Sequence, residues 1–195
     1  MVETTPRWEY RFIRNALSRD PGVDLDCLLL HPRLGAGDGP EYIKKFPEHL
    51  EDLQKYDVIF LGDIGNGKGQ LTSKQADLVK GLVENQASGI VFIPGPMGNQ
   101  ASLQNTPLGE LIPVLLDNTN PNGMSESTAS PLALTSHGRS SLLTMLGSNA
   151  AENETIWQNL PGFYWSAAIK KAKAGADVLA THANRRNRFG RIPLL

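Results

Sequence analysis

The chain has a single cysteine, Cys27, among 195 residues. That excludes an internal disulfide framework and any cysteine-paired zinc motif, and it leaves one thiol for all cysteine chemistry. Charge of one sign is equally scarce in excess: 19 basic residues face 20 acidic ones, for a formal net charge of -1. There is then no global field to gather nucleic acid or anionic lipid, and such a partner would need a local patch. No apolar run approaches the ~20 residues of a membrane-spanning helix. The opening Met1 to Arg7 segment has no apolar core of signal-peptide length. A G-x-S-x-G elbow is also missing, so serine hydrolysis has no positive support. The histidines are His31, His49, His137 and His182, and no two have the short spacing of a metal motif. Neither a metal nor a cofactor is expected.

What is present is enough apolar content, 40% of the residues, for one substantial core. Size argues for a single domain over 1–195. After Pro6, residues 7 to 19 read as an amphipathic helix with Trp8, Phe12, Ile13 and Ala16 on the inner face. Asp20-Pro21-Gly22 ends it. Val23 to Leu30, Asp57 to Gly62 and Gly89 to Ile93 read as three buried strands, their apolar runs short and uniform. Between them, Pro47 to Lys55 suits a short helix, and Thr72-Ser73-Lys74-Gln75 has capping-box spacing for a helix running to about Asn85. Ala76, Val79, Leu82 and Val83 should face inward there. Downstream, Thr106-Pro107 caps a short helix, Val114 to Leu116 reads as a strand, and the polar Asp117 to Ser130 stretch as a surface excursion. Ser148 to Leu160 suits a helix, and Trp165 to Lys170 and Ala176 to His182 two strands joined across Gly175. The order implies an α/β fold with a mostly parallel sheet, whose strand C-terminal ends form the binding edge.

The loops after Leu30, Leu61 and Ile93 therefore carry the candidates. Gly62 to Lys68 has phosphate-loop spacing, with Gly65, Gly67 and Lys68 as candidate binding residues. Gly69 stands where a magnesium-holding Ser or Thr is needed, however, and the helix begins late, so a Gly-rich loop at the sheet edge is the preferred reading. Asp63, just past a strand, is either a base or polar anchor, or an acceptor of N–H bonds in its own turn, the latter preferred. His31 and His182 end predicted strands and are candidates too, with a single hydrogen-bonded histidine the commoner state. Arg185, Arg186, Arg188 and Arg191, with Phe189 among them, form the one dense basic cluster. A solvated hairpin loop explains them as well as phosphate binding does, and no nucleic-acid partner is expected. The turn Gly95-Pro96-Met97, with Asn99 close behind, sits where many α/β enzymes carry a nucleophile. Here it carries a methionine.

The segments Pro6 to Pro21, Tyr56-Asp57-Val58-Ile59-Phe60-Leu61-Gly62-Asp63, Gly89 to Gly95 and Asn105 to Pro113 together resemble the glutamine-amidotransferase-like domains of bacterial membrane proteins that also carry von Willebrand factor A domains. The resemblance implies a class I amidotransferase-like, flavodoxin-like three-layer sandwich (Rossmann-like in the broad sense). It also implies a chain without the family's first strand and last β-hairpin, cut from a larger protein at both ends. Active members of that superfamily have an elbow cysteine and a downstream His-x-Glu pair, because a thiolate must attack the amide and a base must serve it. Here Met97 lies near the elbow, Gly138-Arg139 follow His137, and Ala183-Asn184 follow His182. The elbow residues Gly95, Pro96 and Met97 are therefore degenerate, and glutaminase activity is not expected.

The function expected is that of a pseudoenzyme: a noncatalytic module that binds a protein or small-molecule ligand at Asp63, Gly65, Gly67, Lys68, Met97, Asn99, His31 and His182. The resemblance places it as a soluble domain of an envelope-associated protein whose other parts supply any membrane anchor. The alternative is a hydrolase or carbohydrate-processing enzyme using Asp63 with a histidine at the strand ends.

Overall fold

The computed structural model describes every residue from Met1 to Leu195. The chain is α/β and, where size suggests one domain, divides into two compact units, Met1–Ile112 and Pro113–Leu195.

The first unit is built on a four-stranded parallel sheet. Its strands are β1 (Val2–Glu3), β2 (Leu28–Leu29), β3 (Val58–Leu61) and β4 (Gly89–Phe92), in the order β2-β1-β3-β4. The expectation that no strand precedes the first helix is corrected here. Val2 and Glu3 lie in the middle of the sheet, with Val2 paired to Leu28 on one side and Leu61 on the other. Two residues are too few for a periodicity signal, but the neighbouring strands complete their hydrogen bonds, as Gly62 N to Val2 O (2.8 Å) and Leu30 N to Glu3 O (2.8 Å). Of the Val23 to Leu30 run, only Leu28 and Leu29 form the strand. The reading of Asp57 to Gly62 and Gly89 to Ile93 as buried strands holds only in part, since Val58 and Val91 are exposed while Ile59 and Leu61 are buried. β4 is one of the two edge strands, and alternate side chains point away from the core.

Helix α1 (Trp8–Leu17) exists, but its buried face is not the one expected. Tyr10 is buried against Cys27 and Leu29, with Tyr42 packed beside them, while Trp8 and Phe12 are 70% and 67% exposed. The sequence offers two overlapping stripes, and tertiary anchoring chooses between them. Arg7 is pinned to the sheet, which turns the residue one helical turn later, Tyr10, toward the core. Helix α2 (Leu50–Leu53) is short, and α3 (Ser73–Gln86) carries the expected capping box, with Ala76, Val79 and Leu82 buried. A 3-10 helix, Asn99–Asn105, follows the turn after β4, and a second, Pro107–Glu110, ends the unit.

In the second unit every strand pair is antiparallel. β5 (Val114–Leu116) pairs with β9 (Ile169–Ala172), and β6 (Met124–Ser130) with β8 (Phe163–Ser166). β7 (Leu132–Leu134) and β11 (Gly190–Pro193) flank β10 (Ala180–Asn187). Helices α4 (Ser136–Ser140) and α5 (Ala150–Asn159) lie between β7 and β8. The supposed surface excursion thus ends in a strand, β6, whose Ser, Glu and Thr content hides a half-exposed ribbon from an apolar count. β10 and β11 form an antiparallel hairpin.

Candidate functional site

The order β2-β1-β3-β4 means that the chain leaves β1 first to one side and then to the other. In such sheets the crevice beyond the carboxyl ends of the two central strands is the ligand edge. Here those ends carry Glu3-Thr4 after β1 and Gly62-Asp63 after β3, and the turn after β4 closes over them.

Asp63 is buried, and both of its carboxylate oxygens are taken. The backbone N–H of Met97 donates to Oδ2 at 2.8 Å, and that of Asn99 donates to Oδ1 at 2.8 Å. The Asn99 side-chain amide donates back to the Asp63 carbonyl at 3.0 Å, and the Thr4 hydroxyl donates to the same carbonyl. Asp63 is thus an N–H acceptor, as preferred from sequence, but the turn it holds is the β4 elbow and not its own glycine-rich loop. The N–H groups at an elbow of this kind could bind an anion. In this chain the carboxylate of Asp63 already fills that role.

Glu3 and Arg7 form the second half of the plug, and neither stood out in the sequence. The buried Glu3 carboxylate accepts from the N–H groups of Thr4 (2.8 Å) and Asp63 (3.0 Å) and from Arg7 Nε (2.9 Å). Arg7 Nη2 lies 2.8 Å from the same carboxylate, and the guanidinium also donates to the carbonyls of Ile93 (2.9 Å) and Pro94 (3.1 Å). Burial pushes the Glu3 carboxyl up from its ordinary pKa, with the Arg7 charge opposing that rise. Gln100, also buried, donates its side-chain amide to the carbonyls of Leu61 and Gly62. The glycine at position 95 is required by this packing. A Cβ there would stand 2.6 Å from Arg7 Nη1 and 2.7 Å from Asp63 Oδ2. The signal that could have revealed Glu3 is a charged residue four before Arg7 at the end of a strand, which becomes legible only once β1 is known.

The glycine-rich loop closes on itself. Gly65 N donates to the Gln70 side chain (3.0 Å), Gly67 N to the Leu71 carbonyl (3.2 Å), and Leu71 N to the Gly65 carbonyl (3.1 Å). Lys68 is exposed and lies five residues before the first residue of α3, so the loop does not lead its N–H groups into a helix N-terminus. His31 is spent on a turn too, its Nδ1 accepting from the N–H groups of Arg33 (3.1 Å) and Leu34 (3.0 Å). Of the candidate residues, Asp63, Met97 and Asn99 are brought together with Gly95, and Gly65 approaches Asn99 closely. Cys27 is buried beside Tyr10, and burial pushes its thiol up, away from the thiolate a nucleophile needs.

His182 belongs to the second unit. Its Nδ1 accepts from the N–H groups of Asn184 (3.3 Å) and Arg185 (3.1 Å), and Phe163 meets its ring edge-on at 5.2 Å. Its Nε2 faces the Glu126 carboxylate at 3.7 Å, and the other oxygen of that carboxylate accepts from Arg185 at 3.0 Å. Nδ1 is thus an acceptor, while Nε2 and the facing Glu126 Oε1 are buried without a hydrogen-bond partner.

On the exposed side of the strand-end edge, Met97 is 55% exposed, and Arg7 ties the start of α1, with Trp8 and Phe12, to the same turn. Trp8 and Phe12 stack at 5.9 Å, and the Arg11 guanidinium lies 5.7 Å from the Trp8 ring. Comparison with protein-family models, characterised proteins and solved structures finds no match to this chain.

Proposed function

We propose that the chain is a noncatalytic glutamine-amidotransferase-like domain of flavodoxin-like type, acting as a protein- or ligand-binding module in a larger envelope-associated bacterial protein. The observation that carries the noncatalytic part is the state of Asp63: its carboxylate is bonded at both oxygens to the elbow N–H groups. A base needs a free lone pair aimed at a substrate, and an oxyanion site needs free donors. Asp63 is buried with each carboxylate oxygen aimed at an elbow N–H, and the N–H groups of Met97 and Asn99 are taken by it. The exposed, stacked pair Trp8 and Phe12 supports a docking role, because large apolar side chains grouped on a surface mark interaction sites. The hydrolase alternative gains no support at Asp63 and His31, since the Asp63 carboxylate holds the β4 elbow and His31 Nδ1 holds its own turn.

The test is covalent labelling. A diazo ketone analogue of glutamine alkylates an amidotransferase nucleophile. Intact-mass measurement after incubation is expected to show unmodified protein, and a stoichiometric adduct on any side chain would overturn the proposal.

A further inference from the structure

The second unit holds eight of the basic residues against five acidic ones, whereas the first holds eleven against fifteen. Seven of those eight lie within residues 170 to 191, on β9, β10, β11 and the segments beside them. Some are neutralised locally: Lys170 pairs with Asp117 at 3.4 Å, and Arg185 with Glu126 at 3.0 Å. Lys171, Arg186, Arg188 and Arg191 pair with no carboxylate, and all four are exposed.

Their arrangement is electrostatically unfavourable for the protein alone. Arg186 on β10 and Arg191 on β11 are direct cross-strand partners, and like charges in that position destabilise a hairpin. The turn between the strands is Arg188-Phe189, fixed by the Phe189 N–H donating to the Asn187 side chain at 2.8 Å. Phe189, 49% exposed at this tip, has Arg188 4.7 Å and Lys171 5.5 Å from its ring centroid. The Asn187 amide bonds the carbonyls of Ile169 and Lys170, so β9 is held against the hairpin and brings Lys171 with it. Two cations thus lie over one exposed apolar ring at the turn, and two more face each other across the strands that lead into it.

We infer that this hairpin tip is a docking site for an anionic phospholipid surface, with Arg186, Arg188, Arg191 and Lys171 meeting headgroup phosphates and Phe189 entering the interface. A plane of phosphates relieves the Arg186–Arg191 repulsion. An aromatic residue flanked by basic ones at a membrane face combines apolar burial with attraction to acidic lipid. The inference rests on the hairpin alone and does not depend on the amidotransferase-like reading.

Flotation of the whole chain with vesicles tests it. Vesicles of phosphatidylcholine and phosphatidylglycerol in equal parts are expected to carry the protein upward at low salt and to lose it as salt is raised, whereas phosphatidylcholine alone should not carry it. Each neutralised arginine is expected to weaken binding about fivefold, and Arg186→Gln, Arg188→Gln and Arg191→Gln together roughly a hundredfold. Phe189→Ala should weaken it further at high salt, where the apolar contact remains. Arg191→Glu provides the folding control: it replaces a repulsive cross-strand pair by an attractive one, so the thermal midpoint should hold or rise while vesicle binding falls. Failure to float with the acidic vesicles, equal flotation with neutral ones, or binding indifferent to the arginine substitutions would overturn the inference. So would a single-stranded oligonucleotide that displaces the protein from the vesicles at equal phosphate concentration.

Discussion

Asp63 and Glu3 show why carboxylates at a ligand edge need not serve a ligand. Each accepts backbone N–H bonds that would otherwise be left open where parallel strands end, and Glu3 in addition holds Arg7. Replacing Asp63 with alanine would strand two N–H groups of the elbow, and it is expected to cost about 2–4 kcal/mol in a urea unfolding titration. Glu3 adds a pH signature. Its carboxyl is raised above the ordinary value of 4.5, chiefly by burial, so the native state takes up that proton before the unfolded chain does. Its contribution to stability is therefore fully present below 4.5 and lost as pH rises through the folded value. Glu3→Gln should flatten that part of the stability curve. Denaturation midpoints measured from mildly acidic to neutral pH would reveal it, and an unchanged slope would mean that Glu3 titrates normally.

Among the elements, α3 was the most legible, because its start is written in local chemistry. Thr72 and Gln75 bond each other's backbone N–H groups as a capping box, and Ala76, Val79 and Leu82 are buried as their spacing predicts. Thr72→Ala is expected to cost about 1 kcal/mol. The other end shows the opposite defect: Ala87 caps the helix at φ 56°, a left-handed conformation that disfavours a Cβ. Ala87→Gly should stabilise the protein by roughly 0.5–1 kcal/mol, measured as a rise in thermal midpoint. Helix α1 was legible as a helix but not in its orientation, since two stripes share Ile13 and the choice rests on Arg7, a tertiary contact with Ile93 and Pro94. β1 was illegible for a different reason. A two-residue strand has no period of its own, and its existence depends on neighbours distant in sequence. β6 escaped because its polar composition matches that of a loop.

At the scale of the molecule, a parallel unit and an antiparallel unit follow one another along the chain, and α/β character was readable from the first of them alone. No helix is long and apolar enough to cross a membrane. Loops after parallel strands gather at one side of a sheet, and Asp63, Met97 and Asn99 meet there. Sequence could not show that the edge is filled by the protein's own side chains, because saturation of hydrogen bonds is a property of three dimensions. Charge segregation was half legible: the arginine cluster is plain in the sequence, but the cross-strand opposition of Arg186 and Arg191 emerges only from the hairpin register.

The strand-end edge is filled by Asp63, Glu3 and Arg7, and the proposal drawn from this is that it carries no glutaminase chemistry. Ammonia release from glutamine by the purified chain tests it most directly, with the Asp63→Asn variant alongside. Rates for both proteins indistinguishable from buffer are expected. Turnover on the order of 1 s⁻¹ or faster, abolished by Asp63→Asn, would contradict the account.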